Sequence, residues 1–268
     1  MATFQKTLLA AQNGNPETQY ELGEMLYFGQ GIKQDYTEAI KWYRKSAEQG
    51  NSDAQYSLGF MYERGHGVEE DYEEAIKWYR LAAEQGSADA QYELGFMYEY
   101  GQGVEEDYEE ATKWYHLAAE QNHAGGQYKL GYMFHGDQDY EEAIKWYRKA
   151  DEQGNADAQY QLGFMYERGQ GVKQNYEEAI KWYREAADQD NSDAQYRIGL
   201  MYAIGQGVKQ NYEEAAKWYR LAAEQDNSDA QYELGDMLYI GQGVEEDYEE
   251  AIKWYRKSAE QENSDAQY

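Results

Sequence analysis

The side chains of this sequence that could carry a reaction are many carboxylates, thirty tyrosines and four histidines, with no cysteine at all. Acid–base or nucleophilic catalysis needs a reacting group, its proton acceptor and a third group that orients them, and a metal centre needs three or four ligands at fixed spacing. The histidines do not supply such sets: His66, His116, His123 and His135 fall at unlike places in the sequence pattern described below. His123 and His135 share one copy of that pattern and could meet a carboxylate. The paired glutamates Glu73 and Glu74 follow Asp71 in an Asp-x-x-Glu arrangement, which reads as the start of a helix, where negative charge meets the positive end of the dipole. Gly67-Val-Glu-Glu-Asp71-Tyr-Glu-Glu lacks the alternating oxygen ligands and central glycine of a calcium loop. Gly65-His-Gly67 leads into acidic residues rather than a lysine, and so is no phosphate cradle. Without cysteine there is no thiol nucleophile, no thiolate metal site and no disulfide framework. The expectation is therefore no catalytic residue, no metal and no cofactor.

The elements that position these groups are set by a period. Tryptophans at 42, 78, 114, 146, 182, 218 and 254 are 36 residues apart except for one gap of 32. A fixed period in this range marks a supersecondary unit copied in tandem, each copy burying its apolar face against the next. The copies run 15–50, 51–86, 87–122, 123–154, 155–190, 191–226 and 227–262. Residues 1–14, with Phe4, Leu8 and Ala11 apolar, read as an N-terminal capping half-helix, and residues 263–268 as the start of an eighth, incomplete repeat.

Each copy encodes two helices. In residues 51–86, Ala54, Leu58, Met61 and Tyr62 form one apolar stripe behind an Asn51 N-cap; Ala75, Trp78, Tyr79, Ala82 and Ala83 form a second behind Asp71. In the first copy Pro16 follows Asn15, at the helical position that best tolerates proline. Gly65 and Gly67 turn the chain between the helices, and Gly86 ends the second. Small residues at Gly59, Ala75 and Ala82 are expected to let helices approach, with Trp78 and Tyr79 filling the space between repeats, and Glu73 to pair with Lys77. Copy four has lost four residues around Phe134–Tyr140 and opens with His123-Ala-Gly125-Gly126, a poor helix former, which predicts a soft joint.

The pattern from Ala54-Gln-Tyr through Leu58-Gly59, Gly65-x-Gly67, Asp71, Trp78-Tyr79 and Ala82-Ala83 to Gly86 closely resembles the Sel-one-like repeat, a relative of the tetratricopeptide repeat, over nearly the whole chain. The resemblance implies an all-α, right-handed α-solenoid whose first helices line a concave surface and which acts as an adaptor in protein complexes. Some bacterial relatives are cysteine-rich and linked to β-lactam binding. The absence of cysteine here separates this chain from that subclass and its proposed enzymology.

On the first helix, positions 53, 56, 60, 63 and 64 lie off the core stripe and match those that line the groove of tetratricopeptide-like arrays. The Phe60 position reads Glu24, Phe60, Phe96, Tyr132, Phe164, Leu200 and Asp236 along the copies; the Arg64 position includes Phe28, Tyr100, Arg168, Ile204 and Ile240. This aromatic row with acidic ends reads either as a groove for a protein or peptide or as packing between neighbouring first helices. The candidate partner-contact residues are Tyr56, Phe60, Arg64, Tyr92, Phe96, Tyr100, Tyr128, Tyr132, Tyr160, Phe164, Arg168, Leu200 and Ile204, although a tyrosine repeated in every copy is better evidence of scaffold than of recognition.

Twenty-four basic against 52 acidic residues give a net charge of −28, which repels nucleic-acid phosphates and favours basic partners. The field is uneven, because Glu-Glu-Asp in the turn becomes Lys173-Gln174-Asn175 and Lys209-Gln210-Asn211 in copies five and six. No window approaches the ~18 apolar residues of a membrane span. These observations point to a non-enzymatic, cytoplasmic scaffold (periplasmic or secreted if a leader has been removed) that binds a protein or peptide partner, with no direct nucleic-acid or membrane binding. An acidic inhibitor or immunity protein that neutralises a basic toxin or nuclease is the alternative, and a β-lactam-binding enzyme a more distant one.

Overall fold

Every copy folds as the two helices its capping residues dictate. A computed structural model describes residues 2–261, so residues 263–268, read above as the start of a further copy, lie outside it. Among the described residues there are fifteen helices and no strand. Helix α1 spans Ala2–Gln12. The first helices of the copies are α2 (Pro16–Phe28), α4 (Ser52–Arg64), α6 (Ala88–Tyr100), α8 (Ala124–Gly136), α10 (Ala156–Arg168), α12 (Ser192–Ile204) and α14 (Ser228–Ile240). The second helices are α3 (Tyr36–Ala47), α5 (Tyr72–Glu84), α7 (Tyr108–Glu120), α9 (Tyr140–Asp151), α11 (Tyr176–Ala187), α13 (Tyr212–Glu224) and α15 (Tyr248–Glu260). The fold is an all-α solenoid, divided into two compact units that end at Leu130 and begin at Gly131.

The caps explain the boundaries. The Asn51 carboxamide accepts the N–H of Ala54 at 2.8 Å, and Asp71 accepts that of Glu74 at 2.9 Å. Gly65 closes α4 at φ 66° and ψ 28°, a left-handed conformation that glycine adopts without strain, while its N–H reaches back to the Met61 carbonyl. The second turn glycine is needed for room as well: a Cβ on Gly67 would lie 2.6 Å from the backbone of Tyr36 in the preceding copy. Copy four solves its start differently. His123 Nδ1 accepts the N–H of Gly126 at 3.0 Å, doing for α8 what asparagine or serine does elsewhere. Its two glycines give close packing, since a Cβ on Gly126 would meet that of Ala118 at 2.8 Å and one on Gly125 would meet the Tyr92 ring at 3.0 Å.

The core is segmented, as nearest-neighbour stacking requires. Leu58, Met61, Ala75 and Tyr79 are fully buried. Gly59 lets Tyr79 in: a Cβ there would stand 2.7 Å from the tyrosine ring. Trp78 is only half-buried, so Tyr79 rather than Trp78 is the main space-filling residue. Buried glutamines join the copies. Gln55 donates to the carbonyl of Ala47 at 3.1 Å and accepts from Gln85 at 2.6 Å, tying α4 to the end of the helix before it and the end of the helix after it. Gln19 makes the same bond to Ala11 at 3.2 Å, which shows α1 standing where a second helix ends. Second-helix arginines add links to the next copy, as Arg148 to the Tyr166 hydroxyl at 3.0 Å and Arg184 to that of Tyr202 at 2.7 Å. One expected contact is corrected: Lys77 pairs with Glu74 at 3.1 Å, one turn away at i, i+3, and not with Glu73, because Glu74 also accepts from the Trp78 indole and is held on that side.

Candidate partner-binding face

The first-helix face is organised around the buried second-helix tyrosines. Repeated first-helix tyrosines pack tilted against them: Tyr56 on Tyr79 at 5.6 Å between centroids, Tyr92 on Tyr115 at 5.8 Å, and Tyr160 on Tyr183 at 5.7 Å. The candidate residues Tyr56, Tyr92 and Tyr160 are accordingly half-buried, and Tyr128 is half-buried as well. Tyr56, Tyr92 and Tyr160 thus serve the scaffold while remaining partly accessible.

A buried phenol needs an acceptor. Tyr79 donates to Glu63 at 2.7 Å, Tyr115 to Glu99 at 2.5 Å and Tyr183 to Glu167 at 2.6 Å, three carboxylates at one repeat position. In the first and last copies that position holds Tyr27 and Tyr239, and the carboxylate comes from one turn earlier: Tyr43 donates to Glu24 at 2.5 Å and Tyr255 to Asp236 at 2.6 Å. The acidic ends of the aromatic row are therefore internal acceptors, not free rim charges. Burial first, and the neighbouring carboxylates with it, push the Tyr43, Tyr79, Tyr115 and Tyr183 hydroxyls far above the usual phenol range, so they remain protonated donors. Copy six has Leu200 and Ala203 at these two positions, and the buried Tyr219 hydroxyl has no hydrogen-bond partner among the described residues.

Above these tyrosines sits the aromatic row. Phe60, Phe96, Phe164 and Leu200 are half-buried, whereas Tyr100, Tyr132 and Ile204 are about half exposed, at 52%, 47% and 50%. Arg64 and Arg168 are exposed and lie over Phe60 and Phe164 at 5.6 and 5.5 Å. In the unit ending at Leu130 an open cavity of about 420 Å³ lies along α2, α4 and the start of α6. Tyr20, Tyr27, Phe28, Tyr43, Tyr56 and Phe60 wall it, with Glu24, Asp53 and Asp89 supplying negative charge. In the second unit a smaller cavity of about 300 Å³ is bounded by Tyr132, His135, Tyr160, Gln161 and Phe164. The proposed row is thus brought together in parts: Tyr56 and Phe60 line one cavity, Tyr132, Tyr160 and Phe164 the other.

A position that sequence reasoning passed over controls what lies between copies. It reads Ser57, Glu93, Lys129, Gln161, Arg197 and Glu233 from the second copy onward. Lys129 reaches back to Glu99 at 2.9 Å and lies over the Tyr100 ring at 5.2 Å and that of Phe96 at 5.6 Å. Arg197 likewise approaches Glu167 at 3.7 Å and Phe164 at 5.6 Å. Glu93 faces Glu63 instead, and burial, then that like charge and Asp89, push its carboxyl up to about 7 against the pull of Arg64. The alternation of sign at this one position, amid otherwise near-identical copies, was the available signal.

The histidines are occupied singly. His66 stacks on Tyr36 at 4.8 Å and bonds to the Tyr27 hydroxyl at 3.0 Å; His123 caps α8 and meets Asp89 at 3.2 Å; His135 bonds to Gln170 at 3.1 Å. Burial pulls the His123 imidazole below its usual range, with Asp89 opposing. His116 lies 3.6 Å from Glu120. Among the described residues no three histidines, aspartates or glutamates converge as a metal site would require, and no helix is long and apolar enough to cross a membrane.

The Sel1 repeat family pattern matches residues 16–51, 52–87, 88–123, 124–155, 156–191, 192–227 and 228–263. The chain belongs to the Sel1 repeat family. It is similar to c5321, a protective antigen of uropathogenic Escherichia coli with the same fold, at 41% identity and a TM-score of 0.88, covering 99% of this chain and 58% of the antigen. This chain thus spans little more than half the length of that relative. A Sel1 repeat protein from Oxalobacter formigenes is 34% identical, with a TM-score of 0.83 over 98% of this chain and 77% of its own. The immunity protein Pa5087 from Pseudomonas aeruginosa is a likeness of fold, at 21% identity and a TM-score of 0.52 over 78% of this chain and 81% of its own. No curated protein matches the chain. Sel1 repeat proteins generally mediate protein–protein interactions and are generally not enzymes.

Proposed function

We propose that this Sel1 repeat protein is a non-enzymatic scaffold that docks a protein partner on the first-helix face of its N-terminal unit. The observation that carries the reading is the cavity along α2 and α4, where six aromatic walls meet Glu24, Asp53 and Asp89. Rigid aromatics provide contact area at low entropic cost, and they anchor interfaces when a pocket already exists to receive the partner. Phe28, 58% exposed at the cavity mouth, is an anchor that the fold itself does not consume. The acidity of the chain favours a partner with a basic surface and speeds its encounter.

The test is affinity capture with purified wild type and with Phe28→Ala plus Phe60→Ala, both checked for native helix content by circular dichroism. Loss of the captured protein from the double variant, with Leu81→Ala on a second helix as a neutral control, supports the reading. Equal capture by all three moves the site off this face.

A further inference from the structure

We propose that the cavity between α2 and α4 receives one lysine or arginine side chain of the partner, its cationic head meeting Glu24 among the aromatic walls. This rests on the first-helix face being the docking face. The protein already fills the equivalent space twice with cations of its own. Between copies three and four it is Lys129, buried to 13% exposure, which bonds both oxygens of Glu99, at 3.1 and 2.9 Å, and lies within 5.9 Å of the Tyr115 ring as well as over Tyr100 and Phe96. Between copies five and six it is Arg197, set against Glu167 and Phe164.

Between copies one and two the same repeat position is Ser57, which lines the cavity and is too short to cross it. The ingredients of the cage are kept with two positions exchanged, Tyr27 standing where Glu99 does and Glu24 where Phe96 does. Tyr20 takes the place of Tyr160, Tyr43 that of Tyr115 and Tyr183, and Glu24 accepts the Tyr43 hydroxyl as Glu99 accepts that of Tyr115. A carboxylate within reach of several ring faces stabilises an ammonium or guanidinium once its water is stripped away, and apolar walls accept the methylene stem. A hard metal ion needs several oxygen ligands converging on one point, and the carboxylates here do not converge so. The cavity of the second unit is the internal contrast, because Gln161 stands at the controlling position and neither Tyr132 nor His135 offers a carboxylate.

The experiment is a nuclear magnetic resonance titration of the ¹⁵N-labelled full chain with blocked pentapeptides that differ only at the centre: lysine, arginine or the uncharged isostere norleucine. Lysine and arginine peptides should shift the amide resonances of α2 and α4 and bind at least about tenfold more tightly than norleucine, some 1.4 kcal/mol. Glu24→Gln should bring them down to the norleucine level. Ser57→Lys should fold as wild type, since it copies Lys129, and lose the response. Equal binding of lysine and norleucine, no shift at about millimolar peptide, or an undiminished response in either variant overturns the proposal. If the partner still needs Phe28 and Phe60 while the peptides do not discriminate, the docking face stands and the cation site falls.

Discussion

Lys129 and Glu99, thirty residues apart in sequence, form an ion pair at 2.9 Å with side chains only 13% and 7% exposed. Burial alone would pull the lysine down, but the hydrogen bond and charge of Glu99, with Tyr100 assisting, outweigh it and leave its pKa raised. Glu99 also accepts the Tyr115 hydroxyl, so one carboxylate binds the third copy to the fourth and satisfies the core of its own. Between copies one and two, with Ser57 at the Lys129 position and the carboxylate supplied by Glu24 from one turn earlier, the space is an open cavity. That comparison links what holds the array together to what it can bind.

Removing one member of a buried pair leaves a charge without compensation, which costs more than the pair contributes. Glu99→Gln should destabilise the protein by about 3 kcal/mol or more. Denaturant unfolding of the variant against wild type measures it; Lys113→Gln, at an exposed surface pair, should change the midpoint far less.

The phenols divide by acceptor. Tyr115→Phe breaks a buried charge-assisted bond and should cost about 1–3 kcal/mol, whereas Tyr219→Phe removes a hydroxyl with no partner and should be neutral or stabilising. Thermal or urea midpoints of the two variants decide this directly.

Gly59 is a packing residue inside a helix, where alanine would ordinarily be preferred. With the Tyr79 ring 2.7 Å from the added Cβ, Gly59→Ala should instead destabilise by about 1–3 kcal/mol. A gain in stability, the result of propensity alone, would show that Tyr79 moves freely.

Glu93 gives the array a pH dependence of known sign. Its carboxyl is raised from 4.5 to about 7 in the folded state, so the folded protein holds a proton that the unfolded chain releases. Its contribution to stability is fully present below about 4.5 and is lost as pH rises through about 7, amounting to about 3 kcal/mol at most. Glu93→Gln should therefore gain stability relative to wild type at pH 8 and not at pH 4, measured by urea unfolding at both.

Much of this was legible in the sequence. The tryptophan spacing gave the period, Asn51, Asp71 and Gly65 gave the helix ends, and the copied Leu58 and Tyr79 gave the core, because all are set by local backbone geometry repeated seven times. The candidate face was legible only in part. Phe60 and Tyr56 were found by their place on the helix, but the role of Glu24 was not, since its partner Tyr43 lies on another helix and the exchange with the Glu63 position is visible only when two columns are read together. Lys129 and Arg197 escaped for the same reason: their contacts run to the preceding copy. His123 looked like a weak start for α8, and the cap it forms depends on the imidazole turning back onto Gly126.

Copy four remains the place where opening should be easiest, with two glycines in the first turn of α8 and a shortened turn before α9. Native-state hydrogen exchange should show faster exchange in α8 than in α4, and uniform protection would contradict it.

The central claim, that a partner protein docks on the first helices of the N-terminal unit, is tested most directly by site-specific photo-cross-linking. A benzophenone amino acid at Phe28 should trap the partner in a complex of defined mass, and the same probe at Leu81, on a second helix, should not. Cross-links from Leu81 but none from Phe28 would contradict the account.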